Sequence, residues 1–445
     1  MSLPGVAPPA PRSLPLFALG LLLVLAFAAH LRLRAATETI VSPSLQGDSV
    51  HYVSTAYNLH RFGVVSRDNT WSRPDAPEPV PDARSPPGFP ALLALVMDQA
   101  PDQAFLRRAL WMQALLGVLG VLAGTLLARM LLRPGPALAV GALLAISPQL
   151  VSLGTSLLTE TTYALAVAGF ALALVAAART GRTAWYGVAG VLLGACALVR
   201  PTLMYLPVAL LPAIVYLADR ARWQAAGALL LGFLLAFGPW LVRNERVLGQ
   251  ASDPTLVTGT LLHGSYPDFQ WAGRAETTGV PYRFDPGAKQ IRTPGLALAR
   301  IGANLQADPA GTLRWYLIGK PIRLHDWGFV DGGGDIFVNV IRDSPYLHRP
   351  TFRMTYLGMR LAHVPLMLLG ALGLGLALLR LARRDRSPQA RAWSLLAVTL
   401  AFAIAVHMAG MPLARYAVPF RVLTFLFAAH AVVELVAFAR RRRPA

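Results

Sequence analysis

The stretch PLFALGLLLVLAFAAHLRLRAATETIVSPSLQGDSVHY, residues 15–52, decides the fold class. Its first half is a continuous apolar run of about the 20 residues that a helix needs to cross a bilayer. Its second half turns abruptly to Pro, Gly, Ser and an aspartate. Comparable apolar blocks recur at 14–33, 106–131, 136–153, 158–178, 184–199, 202–218, 224–242, 357–380, 392–409 and 417–438. With 55% hydrophobic and 14% charged residues among 445, the chain is too apolar for a soluble globular protein of this length. We expect an all-α polytopic membrane protein of about ten transmembrane helices.

The net charge of +19 sits mainly in short connections between blocks. If the N-terminus is cytoplasmic, the inner turns carry Arg129 and Arg133, Arg179 and Arg182, Arg220 and Arg222, the group from Arg380 to Arg391, and Arg440 to Arg443. The opposite short turns hold only Arg200 and Arg415, while Arg32 and Arg34 run against the pattern. The positive-inside rule then places both termini in the cytoplasm. Nucleic acid is not expected as a partner, because no basic run is interleaved with aromatic stacking residues. One rival reading makes Arg12 and the first block a cleavable signal peptide. Cys196 is the one cysteine, so no disulfide framework exists.

This topology divides the chain into a first span (1–34), an outer loop (35–105), spans two to seven (106–242), a second outer loop (243–356), and three last spans with a basic tail (357–445). Both loops are long for connectors. SVHYVSTAYNLHRFG (49–63) spaces Val50, Val53, Tyr57 and Phe62 as a helix would. DPAGTLRWYLIGKPIRLHDW (308–327) sets Leu313, Tyr316, Leu317 and Trp327 beside Arg314, Lys320 and Arg323. Both read as helices in the membrane interface with snorkelling cations.

Ionisable residues gather at the outer edge. Asp48 opens the first loop, and Glu160 in LLTETTYALA (157–166) begins the fourth span. Carboxylates at a membrane edge are functional candidates, although Thr159 capping the helix with Glu160 complementing its dipole is an equal alternative. Arg84, Arg200, Arg243 and Arg415 each end an apolar segment on that side. Singly they read as snorkelling cations or ion-pair partners of Asp48 and Glu160. Together they suit a lipid phosphate, which guanidinium groups grip in bidentate fashion. A carboxylate that removes a hydroxyl proton, beside arginines that stabilise a departing phosphate, is the chemistry of glycosyl transfer from a lipid phosphate. A transporter or flippase is the competing class. It would be expected to place its polar sites near the midplane.

The order GDSVHYVSTAYNL, RSPPGFPALLAL, LLTETTYALA, ALVRPTLMYLP, GPWLVRNERVLG and ARYAVPFRVLTF resembles the GT-C glycosyltransferases that use polyprenyl-phosphate sugars, especially bacterial relatives of protein O-mannosyltransferases and lipid A aminoarabinose transferases. The resemblance implies a GT-C fold and a multi-pass protein of the bacterial inner membrane with a periplasmic active site. It implies a polyprenyl-phosphate sugar donor, a periplasmic acceptor, and Asp48 as the general base of an inverting transfer. Tyr52 would shape the pocket. Arg84, Arg243 and Arg415, with Tyr416, would lie near the carrier phosphate, and Glu160 matches a membrane-edge acid. The chain departs from relatives that place an acid before a Lys-Pro-Pro element, since Arg84 and Ser85 precede Pro86 and Pro87 here, and a paired DxD acid is absent because Ser49 and Val50 follow Asp48. We therefore expect no cofactor and no metal, with His263 in TLLHGSYPDF (260–269) either a pocket residue or structural. The chain ends soon after ARYAVPF, so acceptor recognition is expected to rest on the two outer loops. Bland readings complete the survey: DGGGD (331–335) as a flexible turn, APEPVPDARSPP (76–87) as a mobile loop over the site, His30 as buried packing, and Glu434 paired with the basic tail.

Overall fold

In the computed structural model the apolar blocks become helices, and the two loops fold over one end of the bundle. The structure describes residues 13–73, 77–218, 221–330 and 332–441, so Arg12, Ala76, Arg220, Asp331, Arg442 and Arg443 lie outside the described residues. The chain opens with α1 (Ser13–Glu38), followed by a short strand β1 (Ile40–Val41). The first loop contributes α2 (Asp48–Phe62) and α3 (Gly88–Ala94). Six helices follow as α4 (Gln103–Leu131), α5 (Pro134–Ile146), α6 (Pro148–Ser152), α7 (Glu160–Thr180), α8 (Thr183–Val199) and α9 (Leu206–Leu217), then α10 (Arg222–Leu248). The second loop holds α11 (Thr255–Gly264), α12 (Pro294–Ala307), α13 (Pro309–Arg314), a π turn at 315–319, α14 (Lys320–Leu324), strand β2 (Ile341–Asp343) and α15 (Pro345–His348). The chain closes with α16 (Pro350–Ala382), α17 (Pro388–Ala409), the single turn α18 (Ala414–Ala417) and α19 (Arg421–Arg441).

Among the described residues seven helices are long and apolar enough to cross a membrane, or eight if the bent pair α5 and α6 counts as one span, and α8 and α9 are shorter apolar helices. The protein is thus an all-α, multi-pass membrane protein. The bend of 51° between α5 and α6 falls at Pro148, which cannot donate the backbone hydrogen bond that continuation requires. The carbonyls at the bend are met by one arginine, and a second arginine binds the side chains beside it. Arg32 of α1 donates to Leu144 O (3.0 Å) and Ala145 O (3.1 Å), and Arg421 of α19 donates to Ser147 Oγ (2.8 Å) and Gln149 Oε1 (2.5 Å). Arg32 therefore ends as an internal cap, which explains why it runs against the charge pattern of the loops. Elsewhere backbones touch directly: a Cβ on Gly190 of α8 would lie 2.1 Å from Leu229 O of α10, and one on Gly232 would lie 2.2 Å from Gly187 O. Small residues at such crossings supply the close packing that holds helices together in lipid.

The loops differ from the interfacial reading. α2 buries Ser49, Val53, Ser54, Thr55, Ala56 and Asn58, whereas Phe62 is exposed, so its inner face is polar rather than the expected apolar stripe. Asn58 makes that face affordable in energy: its amide donates to Ser66 O (3.0 Å) and Asp68 O (2.8 Å), and its oxygen accepts from Thr70 Oγ1. The described part of 76–87 is tied down, with Asp82 N donating to Val65 O (3.0 Å) and Val80 N to Asp68 Oδ2 (2.9 Å). Along α13 to α14, Leu313, Leu317, Ile318 and Ile322 are exposed, as an interfacial helix requires. Lys320, by contrast, is fully buried and does not snorkel.

Smaller expectations are also revised. His30 is exposed and stacks on Phe27, because it faces outward from α1. Glu434 pairs with Arg380 of α16 (2.7 Å), one helix away from the tail. The described glycines of 331–335 form a tight turn closed by a bridge between Gly334 and Phe337. A Cβ on Gly332 (φ 92°) would lie 1.4 Å from Val338 O. Strands β1 and β2 pair antiparallel and tie the end of α1 to the second loop.

Candidate functional site

Three helix ends and one short turn meet at the loop-covered end of the bundle. Asp48 is the first residue of α2, entered through Gly47 at φ 51°, a left-handed conformation that costs glycine little. Glu160 is the first residue of α7. Each carboxylate thus sits at a helix N-terminus, where the backbone dipole favours negative charge. Arg200 follows the last residue of α8, and Arg415 and Tyr416 occupy α18, the turn between α17 and α19.

The side chains assemble as two ion pairs around a phenol. Arg415 Nη2 lies 3.0 Å from Asp48 Oδ2, and Arg200 Nη1 lies 2.8 Å from Glu160 Oε1. Both guanidinium groups face Tyr416, with Cζ atoms 4.2 Å (Arg200) and 5.2 Å (Arg415) from its ring centroid. The pairs are unequal. Glu160 is 3% and Arg200 17% exposed, whereas the Asp48 side chain is 49% exposed beside a buried Arg415. The Asp48 pair is therefore the one a ligand can reach. Thr159 makes no capping bond to α7; its hydroxyl instead accepts from Arg200 Nη1 (3.3 Å), so Glu160 serves as an ion-pair partner.

Electrostatics follow from this arrangement. Burial alone would raise the Asp48 carboxyl, but the charge and hydrogen bond of Arg415, with Arg200 and His51 behind them, hold it below the ordinary carboxylate range. Tyr52, one turn along α2 from Asp48, is pushed upward by burial and by Asp48, and packs edge-on against Phe89 of α3 (5.4 Å). His263 packs edge-on against Phe269 and Tyr282, and its Nε2 is buried without a protein partner. Burial and the nearby Arg415 push His263 down to about 4, so the ring is neutral at physiological pH.

Two expected members of the arginine set have other bonding partners. Arg243 of α10 donates to Asp82 O (2.8 Å) and Val65 O (3.3 Å), which pins the first loop to the bundle. Arg84 is 60% exposed and lies 3.8 Å from Asp253. Sequence reasoning passed over His51, which is i+3 from Asp48 and so legible from spacing, and Arg67, whose guanidinium donates to Ser85 Oγ (Nε, 3.0 Å) on the same loop. A divalent cation does not fit the cluster, because each carboxylate already faces a guanidinium. No group of three or more His, Cys, Asp or Glu among the described residues is arranged to hold one.

Comparison with known proteins is consistent with this architecture. The sequence family described as dolichyl-phosphate-mannose-protein mannosyltransferase matches residues 84–242. No curated protein matches the chain. Among solved structures, the archaeal oligosaccharyltransferase AglB from Archaeoglobus fulgidus, in complex with an inhibitory peptide and a dolichol-phosphate, superposes with a TM-score of 0.54 at 14% identity, covering 98% of this chain and 53% of that one. An Archaeoglobus fulgidus oligosaccharyltransferase in complex with zinc and sulfate gives a TM-score of 0.51 at 15% identity over 95% and 50%. ArnT from Cupriavidus metallidurans bound to undecaprenyl phosphate gives 0.39 at 15% identity over 90% and 78%. The chain spans about half the length of the oligosaccharyltransferase it matches. The chain therefore shares the fold of the archaeal oligosaccharyltransferase over nearly its whole length, and residues 84–242 resemble the mannosyltransferase family in sequence.

Proposed function

We propose that this protein is an inverting glycosyltransferase that moves a sugar from a polyprenyl-phosphate carrier to an acceptor hydroxyl at the outer face of a bacterial inner membrane, with both termini in the cytoplasm. The observation that carries this reading is the half-exposed Asp48 held 3.0 Å from Arg415, beside a second arginine, at the end of the bundle that both loops cover. In this reading residues 35–105 supply the base, 243–356 cover the site, and 357–445 supply Arg415. The fold comparison supports the class of enzyme. Oligosaccharyltransferase AglB is described with a dolichol-phosphate and a peptide, and the matched family is named for a lipid-phosphate sugar donor.

The residues divide the work. Asp48 takes the proton of the acceptor hydroxyl as its oxygen attacks the anomeric carbon, and the bond from that carbon to the phosphate oxygen breaks. The carrier phosphate leaves with one more negative charge while Asp48 becomes neutral, so Arg415 shifts its partnership from Asp48 to the phosphate. This exchange resolves a conflict in the resting site. A carboxylate held below its ordinary range is a weak base, and an arriving phosphate that competes for Arg415 would restore its basicity. Arg200, fixed by buried Glu160, stays in place as a second positive charge behind Tyr416. Tyr52 and His263 line the pocket as neutral groups. Acceptor candidates are a glycolipid, a cell-envelope glycan or a protein.

A transporter or flippase is the second reading, and the break between α5 and α6 favours it, since discontinuous helices build many transport sites. Here the carbonyls at the break are already bound by Arg32, as a tethered cation. The deciding experiment supplies purified protein with a panel of polyprenyl-phosphate sugars and follows carrier release by wild type and Asp48→Asn. Release by wild type with strong loss in the variant is expected. A folded variant that matched the wild-type rate would remove Asp48 from the mechanism, and absence of release from every donor would favour transport.

A further inference from the structure

The buried Lys320 is unexplained by the mechanism above. It projects from α14 in the second loop and is 0% exposed. Its ammonium donates to Met408 O (2.8 Å) and Gly410 O (2.9 Å), reaches Ala409 O at 3.5 Å, and lies 3.6 Å from the centre of the Tyr316 ring. Among the described residues it forms no ion pair with a carboxylate. A buried ammonium without a counter-ion is costly. Its compensation here is the end of α17, whose last carbonyls have no partner within their own helix and carry the negative end of its dipole.

What lies immediately beyond that helix end is the site. Gly410 leads through Met411–Leu413 into α18, and Tyr416 N donates back to Leu413 O (2.9 Å). The same short segment rests on the second loop at two more points. Leu413 is buried against Phe269 and Trp315, and Trp315 Nε1 donates to Gly264 O (2.9 Å). Gly264 itself lies so close that a Cβ there would stand 1.8 Å from Gly410 O. The chain from 410 to 416 therefore takes its position from the second loop, and Lys320 is the charged member of that seat.

We propose that Lys320 is a positioning residue: by capping α17 it sets where α18 holds Arg415 and Tyr416 against Asp48, so that the site is assembled only while the second loop is seated. The kinetic part of this inference rests on the glycosyl-transfer reading; the structural part does not. A displacement of about 1 Å at a reacting centre can lower a rate by about 100-fold, and a loosened α18 would act most strongly on turnover, where the phosphate gains its second charge beside Arg415, and less on capture of the donor.

The test compares wild type, Lys320→Met, Lys320→Arg and Lys320→Ala, the last with and without methylammonium, after thermal unfolding in detergent has shown which variants are folded. Two readouts are taken: carrier release with a polyprenyl-phosphate sugar, and hydrogen exchange of the backbone amides in residues 410–418. In Lys320→Met we expect kcat to fall about 10- to 100-fold with donor KM within about threefold, and exchange over 410–418 to accelerate. Lys320→Arg, or methylammonium added to Lys320→Ala, restores part of both. A folded Lys320→Met or Lys320→Ala with wild-type kcat and wild-type protection overturns the inference. So does loss that neither the arginine nor the added amine repairs, since that is the signature of packing alone. If wild type releases carrier from no donor, the glycosyl-transfer reading fails and the exchange data alone decide the fate of Lys320.

Discussion

Two pairs of arginines near the loop-covered end of this bundle stand in different settings. At the break between α5 and α6, Arg32 and Arg421 are buried and bind neutral acceptors: backbone carbonyls, a serine hydroxyl and a glutamine oxygen. In the cluster around Tyr416, Arg200 and Arg415 bind carboxylates, and one of those, Asp48, is half exposed. Arg32 completes hydrogen bonds that the helix break would leave open, and Arg421 satisfies the side chains beside it, as polar groups inside a membrane must be satisfied. The second pair holds charges that another charge can displace. Residue type is shared, so partner chemistry is what separates a structural arginine from one poised for exchange.

The largest effect that would sharpen this contrast is at Asp48. Replacement by asparagine should lower carrier release by about 10²–10⁴-fold, the range for loss of a general base, while donor affinity measured by direct binding holds or improves. Arg415→Met should cost about 10²–10³-fold in turnover, the scale for loss of one charge-stabilising donor. Arg32→Met should behave oppositely. It leaves carbonyls at a buried break unsatisfied, at about 1–3 kcal/mol, so its mark should be a lower unfolding temperature in detergent with turnover largely kept in the folded fraction. Equal kinetic damage from Arg32→Met and Arg415→Met would erase the distinction. The smallest effect is expected at Arg84, whose exposed guanidinium lies 3.8 Å from Asp253; Arg84→Ala should leave turnover within about twofold.

The pH dependence has a definite sign. The folded Asp48 carboxyl lies below its ordinary value, so its contribution to stability is present above the unfolded value of about 4 and is lost as pH falls through the lower folded one. For activity, kcat/KM reports the free enzyme and kcat the bound one. Groups facing Asp48 are Arg415 of α18, Arg200 after α8 and His51 on its own helix. Once Arg415 is shared with the carrier phosphate, the acid limb of kcat should lie above that of kcat/KM. Coincident limbs would mean that the donor leaves the pair with Asp48 intact.

The sequence carried the membrane architecture because each span is a local property: ten apolar runs correspond to seven long helices, one bent pair and two shorter helices. It carried the candidate acids and arginines for the same reason, as charges at the ends of runs. Partner choice was not legible. Asp48 and Arg415 are 367 residues apart, and nothing local tells Arg415 from Arg243, whose carbonyl partners lie on a loop 160 to 180 residues upstream. Lys320 shows the same limit. Its segment reads as amphipathic, and its neighbours Leu317 and Ile322 are indeed exposed, but the end of α17 that captures the ammonium arrives about 90 residues later. Arg32 looked like an exception to the charge rule because the break it caps is made by a proline far along the chain.

The most direct test of the central claim is a double-mutant cycle on Asp48 and Arg415, reading single-turnover carrier release for Asp48→Asn, Arg415→Met and the pair together. If proton removal and neutralisation of the leaving phosphate are two halves of one exchange, the double variant should be little slower than the worse single one, as for residues that act as a unit. Losses that simply multiply would show two side chains working independently, and would contradict the account.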